Sequence, residues 1–174
     1  MADPKAIEAL LQKQAIAERL HLYARGWDRM QRALILDTFH PDATIRQGDF
    51  SGPAHRLMNM WLDACATRKS ITHLISNLLI ELRKDVALSE AHFLAHHRRA
   101  ATEEAPEHDW FIKGRYLDRF ERREDGIWRV ADRVVVLDFE RIVEPADPDL
   151  AALPSEARGK FYPNDPLYAL LDSL

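Results

Sequence analysis

Four side chains of the sequence could together perform acid–base chemistry. Tyr23 and Asp28 lie near the end of an amphipathic stretch, AIAERLHLYARGWDR, and His73 and Arg133 follow much later in the chain. An Asp that binds one imidazole nitrogen fixes the tautomer of the ring and leaves the other nitrogen free as a general base. A phenol and a guanidinium can stabilise negative charge that develops on a substrate. These residue types favour removal of a proton followed by departure of a leaving group.

Each of these residues also has a purely structural interpretation. Asp28 could cap a second helix that begins near Arg29, since Asp is a common N-cap residue. A lone His such as His73 is often a hydrogen-bonded residue of the fold. Arg133 alternates with apolar residues along its strand, so its side chain shares their face. A charged side chain on an apolar face requires a carboxylate partner or an anionic ligand. The sequence leaves these alternatives open.

The first third of the chain has the 3.6-residue period of helices. Asp3 and Pro4 predict the start of a helix that runs to about Arg25 and stops at Gly26, with Ile16, Leu20, Tyr23 and Trp27 on its inner face. A short helix at residues 29–39, a strand at 42–47 and a turn at 48–53 follow. A third helix is expected at residues 53–68, with Leu57, Met60, Trp61 and Ala64 on its inner side.

From Ser70 onward the period changes to two, which predicts strands at residues 72–83, 87–100, 108–123 and 127–139. Asp125-Gly126 between two strand patterns is a strong hairpin signal. Helices followed by antiparallel strands predict an α+β fold. Alternation places His73 with Ile75, Asn77 and Leu79, and Arg133 with Ala131, Val135 and Leu137. It also places Trp110, Ile112, Gly114, Tyr116 and Phe120 on one face of the third long strand, toward a core or cavity.

Composition narrows the class of protein. With 174 residues, 47% of them hydrophobic, the chain can bury one core. A net charge of -4 with interspersed signs gives no pattern typical of nucleic-acid binding. The absence of a long apolar run and of a signal-peptide pattern predicts a cytoplasmic protein without a membrane partner. His92 and His96 have a zinc-like spacing, but on a strand they would lie about 13 Å apart; no metal site is predicted.

The order of elements resembles the SnoaL-like branch of the nuclear transport factor 2-like superfamily over about residues 7–139. YARGWD and ITHLISNLLIEL, which contain Tyr23, Asp28 and His73, are similar to motifs of bile-acid 7α-dehydratase, and the Asp and His also match hexachlorocyclohexane dehydrochlorinase. Arg133, counted from ERREDGIW, falls on that enzyme's arginine, and Ile112 and Tyr116 fall on pocket positions. The resemblance implies one cone-shaped α+β barrel over residues 1–143, with three N-terminal helices in a strongly curved, mostly antiparallel sheet.

The resemblance also implies a function. Asp28 and His73 would be a catalytic pair, with Tyr23 and Arg133 assisting, in a lyase that needs no metal or redox cofactor and eliminates water, halide or a small carbonyl fragment. Expected contacts to an aromatic or polycyclic substrate are Phe93, His97, Trp110, Ile112, Tyr116 and Val135, with His97 in the place of a second histidine of scytalone dehydratase. The departures are Leu137, where the bile-acid enzyme has an arginine, and the lack of a second tyrosine near residues 47–50.

Two expectations concern what surrounds the domain. Residues 144–174 form a proline-containing extension whose apolar end, including Phe161 and Tyr168, should pack on its own subunit or on a neighbour, in a homotrimer or homodimer. The alternative function is a ligand-binding protein or a scaffold like the small subunit of ring-hydroxylating dioxygenases, since the same fold serves both.

Overall fold

The first helix presents the residues around which the site is built. The computed structural model describes residues 3–145 and 153–174. Helix α1 spans Pro4–Asp28, with the side chain of Asp3 accepting a hydrogen bond from the Lys5 amide at 3.1 Å. The helix passes through Gly26 instead of stopping there. A Cβ at Gly26 would lie 2.8 Å from Ile35 Cγ1, so glycine allows the next helix to pack closely.

Asp28 is the last residue of α1, and this position excludes the capping interpretation. Helix α2 spans Arg32–Asp37 and has Gln31, not Asp28, at its N-cap. The chain leaves α1 through Met30, which has a positive φ of 53°. The carboxylate of Asp28 is therefore available to a neighbouring element.

The segment after α2 contains one more strand than the sequence indicated. Strand β1 spans Phe39–Gln47, and β2, at Phe50–Pro53, pairs with it across a turn where a turn alone was expected. Helix α3 spans Ala54–Cys65. Its buried face is Ala54, Leu57, Met58, Leu62 and Cys65. Met60 and Ala64, which were expected inside, are exposed.

Four long strands complete the sheet. They are β3 at Arg68–Arg83, β4 at Val86–Arg99, β5 at His108–Arg122 and β6 at Trp128–Val143. The order in the curved, unclosed sheet is β2-β1-β6-β5-β4-β3, and every neighbouring pair is antiparallel except β1 with β6. The α+β class and the mostly antiparallel curved sheet are as predicted.

Two bulges change which side chains face the core. Between Ser76 and Leu79 the register of β3 shifts, and Asn77 has a positive φ of 48°, so Leu79 is exposed instead of sharing the face of His73. On β5, Phe120 pairs with Val130 of β6, but the adjacent Arg119 pairs with Asp132. Ala131 is the extra residue, and it no longer shares the face of Arg133.

The core lies between α1 and the concave face of the sheet. Ile16, Leu20, Tyr23 and Trp27 of α1 are buried, as expected, against residues that include Phe39, Ile45 and Phe120. This packing fills one end of the concave face. At the other end, between α3 and strands β3 to β6, the sheet encloses a cavity.

The end of the chain packs on the same subunit. The Tyr162 amide donates to the Arg29 carbonyl at 2.7 Å, and the Tyr168 hydroxyl donates to Gln31 Oε1 at 2.8 Å. A short 3-10 turn, Ser155–Ala157, and helix α4, Pro166–Leu171, give this extension some regular structure. The extension expected at residues 144–174 also includes 146–152, which lie outside the described residues. None of the helices described is long and apolar enough to cross a membrane.

Candidate active site

Asp28 and His73 form a hydrogen-bonded pair between helix and sheet. The helix α1 ends beside the start of β3, and His73 Nδ1 lies 2.9 Å from Asp28 Oδ1. A carboxylate only accepts hydrogen bonds, so Nδ1 carries the proton and Nε2 of the neutral ring is left as an acceptor. Both side chains are largely buried, with 8% of His73 and 17% of Asp28 exposed. This arrangement can serve a general base.

His73 borders a cavity of about 310 Å³. The six side chains that the sequence assigned to substrate contact, Phe93, His97, Trp110, Ile112, Tyr116 and Val135, all line it. Tyr23 lines it as well, whereas Asp28 lies behind His73 and Arg133 is not on its wall. The volume is at the lower end of the range for small-molecule sites, and the lining is mostly apolar and aromatic with a few polar groups.

Two tyrosines line the cavity. The Tyr23 hydroxyl donates to the Met58 sulfur at 3.6 Å, a weak bond that a better acceptor could replace. Tyr116 stacks on Phe93 with ring centroids 4.4 Å apart and meets the Tyr23 ring edge-on at 5.8 Å. Burial raises the pKa of Tyr23 and raises that of Tyr116 well above its ordinary value. Both phenols are therefore hydrogen-bond donors at neutral pH.

Arg133 lies behind the tyrosines and not on the cavity wall. It is fully buried, and its Nε and Nη2 donate to the two oxygens of Asp118 at 2.6 and 2.7 Å. The guanidinium lies 4.4 Å from the centre of the Tyr23 ring and 4.2 Å from that of Tyr116. Burial alone would lower the pKa of Arg133, but the charge of Asp118 raises it. The salt-bridge interpretation of Arg133 is the one observed, and its guanidinium contacts the two tyrosine rings instead of the cavity.

His97 is the second histidine of the cavity. Its ring lies edge-on to that of His73 at 5.7 Å, and only 6% of the residue is exposed. Burial, together with the nearby charges of His73, Arg68 and Arg99, lowers its pKa from 6.5 to about 3. Its Nδ1 is buried without a hydrogen-bond partner. A neutral His97 can donate to or accept from a polar group of a ligand.

Sequence reasoning missed several residues of the site. Trp27 and Trp61 line the cavity, and both had been placed on inner helix faces, so their helical spacing was the signal. Cys65, Leu137 and Glu140 also line it. Asp118 could have been found because it alternates with Tyr116 and Phe120 on the buried face of β5, where a carboxylate needs a cation.

The histidines of β4 are separated by its extended geometry. His96 Nε2 instead contacts Asp109 Oδ1 at 2.6 Å, and His92 lies near Glu90. Across residues 3–145 and 153–174, no group of three or more His, Cys, Asp or Glu side chains is arranged to hold a metal ion.

The sequence matches the model of a known domain family, and the structure resembles solved relatives. Residues 8–134 match the SnoaL-like domain. No curated protein matches the sequence. Similar structures include hexachlorocyclohexane dehydrochlorinase LinA-type3 from Novosphingobium barchaimii, with 16% identity, a TM-score of 0.69, and coverage of 82% of this chain and 99% of that one.

Two further structures widen the comparison. A scytalone dehydratase-like protein from Novosphingobium aromaticivorans has 19% identity and a TM-score of 0.67, covering 81% of this chain and 97% of that one. A protein of unknown function from Mycobacterium tuberculosis has 22% identity and a TM-score of 0.62, covering 82% and 84%. At these identities the likeness shows the fold alone. The family match, which covers most of the chain, shows that the protein belongs to the SnoaL-like domain family of the nuclear transport factor 2-like superfamily.

Proposed function

We propose that the protein is a cofactor-independent lyase that eliminates water, halide or a small carbonyl fragment from an aromatic substrate. The observation that carries the proposal is the 2.9 Å contact between Asp28 and His73 at the edge of an aromatic-lined cavity. Neighbours that are a dehydrochlorinase and a scytalone dehydratase-like protein support elimination chemistry.

The proposed reaction begins at His73. With Nδ1 bound to Asp28, Nε2 removes a proton from a carbon or hydroxyl of the substrate, and the negative charge of Asp28 stabilises the imidazolium that forms. For loss of water or halide, the electron pair of the broken C–H bond forms the new double bond as the leaving group departs with its own pair. For loss of formaldehyde, the pair of the O–H bond forms the carbonyl of the fragment, and the pair of the broken C–C bond forms the double bond as a group on the neighbouring carbon departs. Tyr23 donates a hydrogen bond to the developing negative charge or to the leaving group, with Arg133 behind its ring.

The test is turnover of a panel of aromatic compounds that carry hydroxyl or chloride β to an acidic C–H, or a hydroxymethyl group beside a carbon that carries a hydroxyl. The conjugated product is followed by its absorbance. We expect His73→Ala and Asp28→Asn each to reduce turnover by about 10² or more, the scale of a lost general base. His92→Ala, on the same sheet but outside the cavity, is the matched control and should retain full activity.

Normal turnover in purified His73→Ala protein would contradict the proposal. A second measurement tests the pair itself: imidazole ¹⁵N shifts should show the Nδ1–H tautomer in wild type and a smaller share of it in Asp28→Asn, whose amide oxygen is a weaker acceptor than a carboxylate. Binding without turnover of any compound, or copurification with a large iron–sulfur subunit, would favour the alternative of a binding or scaffold protein.

Two wider expectations accompany this proposal. The protein is expected to act in the cytoplasm and to self-associate as a trimer or dimer. Exposed leucines on the outer face of β3 and β4, among them Leu74, Leu88 and Leu94, support the second expectation.

A further inference from the structure

Two arginines, one at the start of β3 and one at the end of β4, face each other without an acidic partner. Arg68 and Arg99 are directly opposite in the antiparallel register, where like charges destabilise a sheet. Arg133, Arg122 and other arginines of the sheet are paired with carboxylates. In contrast, neither Arg68 nor Arg99 has an ion pair with any residue that the structure describes, and the Nε of each is buried without a hydrogen-bond partner.

Trp110 connects these arginines to the cavity. The Arg99 guanidinium lies 4.2 Å from the centre of the Trp110 ring and that of Arg68 lies 5.7 Å from it. Trp110 itself lines the cavity, and so does Cys65, which lies near Arg68. An aromatic ring under a guanidinium holds its plane and leaves its N–H edge free for a ligand.

Arg68 and Arg99 are not among the residues that line the cavity, but both lie against Trp110 of its wall and their charges act on its other residues. Burial lowers the pKa of Arg99, and the charge of Arg68 lowers it further. The same two charges contribute to the low pKa of His97, whose ring packs on Trp110 with centroids 5.5 Å apart. Glu140 also lines the cavity and attracts Arg99, but it forms no ion pair with it. Next to Trp110 the cavity therefore has two cations behind its wall and one exposed carboxylate on it.

We propose that Arg68 and Arg99 bind the carboxylate of the substrate, which is therefore an aromatic acid. This inference rests on the proposed function only in placing the substrate in the cavity. A guanidinium pairs with a carboxylate through two parallel hydrogen bonds, and a ligand anion would relieve the repulsion between the two arginines. It would also give the buried Nε groups or their neighbouring N–H groups an acceptor.

The positions of the rings indicate the length of the acid. Trp110, His97 and His73 follow one another along the wall, with centroids 5.5 and 5.7 Å apart. A carboxylate bound at Arg68 and Arg99 is therefore separated from the imidazole of His73 by the two ring-to-ring distances given above. The substrate has its carboxylate at one end of an aromatic skeleton and its reacting carbon at the other.

The test compares two ligands of the same shape and different charge, 2-naphthoate and 2-naphthamide, by calorimetric titration. Wild-type protein should bind the acid about 10-fold or more tightly than the amide, since charge-assisted hydrogen bonds are the stronger kind. Arg68→Gln and Arg99→Gln should each remove most of this preference and leave amide binding unchanged. Arg141→Gln, at an exposed position of β6, is the matched control and should keep the preference.

Glu140→Gln provides a test in the opposite direction. Removing this carboxylate from the cavity should increase the affinity for naphthoate by several-fold and leave naphthamide unaffected, because the ligand anion no longer meets a like charge. This variant keeps both arginines, so its result does not depend on whether an arginine variant folds well.

Equal affinity of wild type for the two ligands, or an acid preference that survives in both arginine variants, would overturn the proposal. So would the failure of naphthoate to bind at up to about 1 mM, a concentration that detects even weak sites. Repeating the titrations with His73→Ala separates the two proposals. A persistent acid preference there supports the carboxylate site even if no substrate is turned over, and turnover of neutral substrates without that preference supports the lyase alone.

Discussion

His97 is a buried imidazole that the folded protein keeps neutral. Its pKa falls from 6.5 to about 3 because burial disfavours the charged ring and cationic neighbours oppose protonation. Between these two values the unfolded chain binds a proton that the folded one does not. Stability therefore rises with pH across this window, and His97 costs stability as the pH falls from about 6.5 toward 3.

We predict that His97→Gln makes the protein less sensitive to acid. At pH 4.5 the wild-type histidine should lower the free energy of unfolding by about 2–3 kcal/mol relative to pH 7, and the variant should lack this loss. Urea unfolding at both pH values measures the difference. The exposed His21, changed to Gln, is the control and should leave the acid sensitivity as it is. The same acid loss in His97→Gln as in wild type would show that the ring is not held neutral.

Asp118 is the residue on which the stability of the buried arginine depends. Asp118→Asn removes the negative charge that Arg133 contacts at 2.6 Å and leaves a cation without compensation at a site with no solvent exposure. We expect a loss of about 3–5 kcal/mol in the free energy of unfolding, measured in urea at pH 7.

The double replacement Asp118→Leu with Arg133→Met is the comparison for this prediction. Because it removes both charges, it should be clearly more stable than Asp118→Asn, even though it changes the packing. A loss below about 1 kcal/mol in Asp118→Asn would mean that water or another group compensates Arg133.

At the scale of residues, the sequence predicted the positions of polar and aromatic side chains that recur at the period of a helix or a strand. His73, Tyr23 and the six lining residues could be found in this way because a helix or strand fixes which side chains share a face. Arg68 and Arg99 could not be interpreted so easily, since their role depends on which residue lies opposite on the next strand. That register is set by tertiary pairing.

At the scale of elements, bulges account for the errors in the predicted faces. The sequence placed Leu79 and Ala131 by strict alternation, but one extra residue in a strand reverses every side chain beyond it. Asn77, with its positive φ, is a residue type that tolerates this conformation. The helices and long strands were found because their periods extend over many residues, whereas a bulge is one residue long.

At Gly114 the backbone of β5 lies close to β6 and to the ring of Phe93. A Cβ at this position would lie 2.1 Å from the Val136 carbonyl oxygen and 3.0 Å from the Phe93 ring. We predict that Gly114→Ala reduces the free energy of unfolding by about 1–3 kcal/mol, because backbone and ring must move apart. Since Phe93 lines the cavity, ligand affinity should fall as well.

Gly159→Ala is the control for this prediction. A Cβ there meets nothing within 4 Å, and we expect stability and ligand binding to stay near wild type. Thermal unfolding and the naphthoate titration measure the two effects. The register of β5 with β6 shifts between Lys113 and Gly114, and unchanged stability in Gly114→Ala would show that the two strands can separate there without cost.

At the scale of the whole molecule, the C-terminal extension supports the end of α1 where Asp28 lies. Arg29 contacts Asp165 at 3.3 Å, and Leu167 lies beside Asp28 and His73 on the side away from the main cavity. Its apolar residues indicated that the extension packs on protein. Composition does not determine which way the chain turns. The sequence therefore could not predict whether the extension contacts its own subunit or a neighbouring one.

The outer face of the sheet exposes several large apolar side chains. Leu74 and Leu94 are direct cross-strand partners and are 56% and 37% exposed, and Leu88, at 58%, lies on the same face of β4. Leu94 also pairs with Lys113 of β5, which in turn pairs with Phe139 of β6, and Phe139 is 45% exposed. Exposed apolar side chains grouped on one face of a sheet are typical of interaction surfaces.

We therefore predict that the protein self-associates through the outer face of β3 and β4. Sedimentation velocity of wild type should give the mass of a dimer or trimer at micromolar concentration, and Leu74→Lys with Leu94→Lys should shift it toward the monomer, because apposed lysines repel and lose buried area. Leu170→Lys, on α4 and 68% exposed, is the control and should leave the mass unchanged. A monomeric wild type would contradict the prediction, as would a double variant that stays associated. In the second case the interface would have to lie elsewhere, and the exposed leucines would be a property of the monomer surface alone.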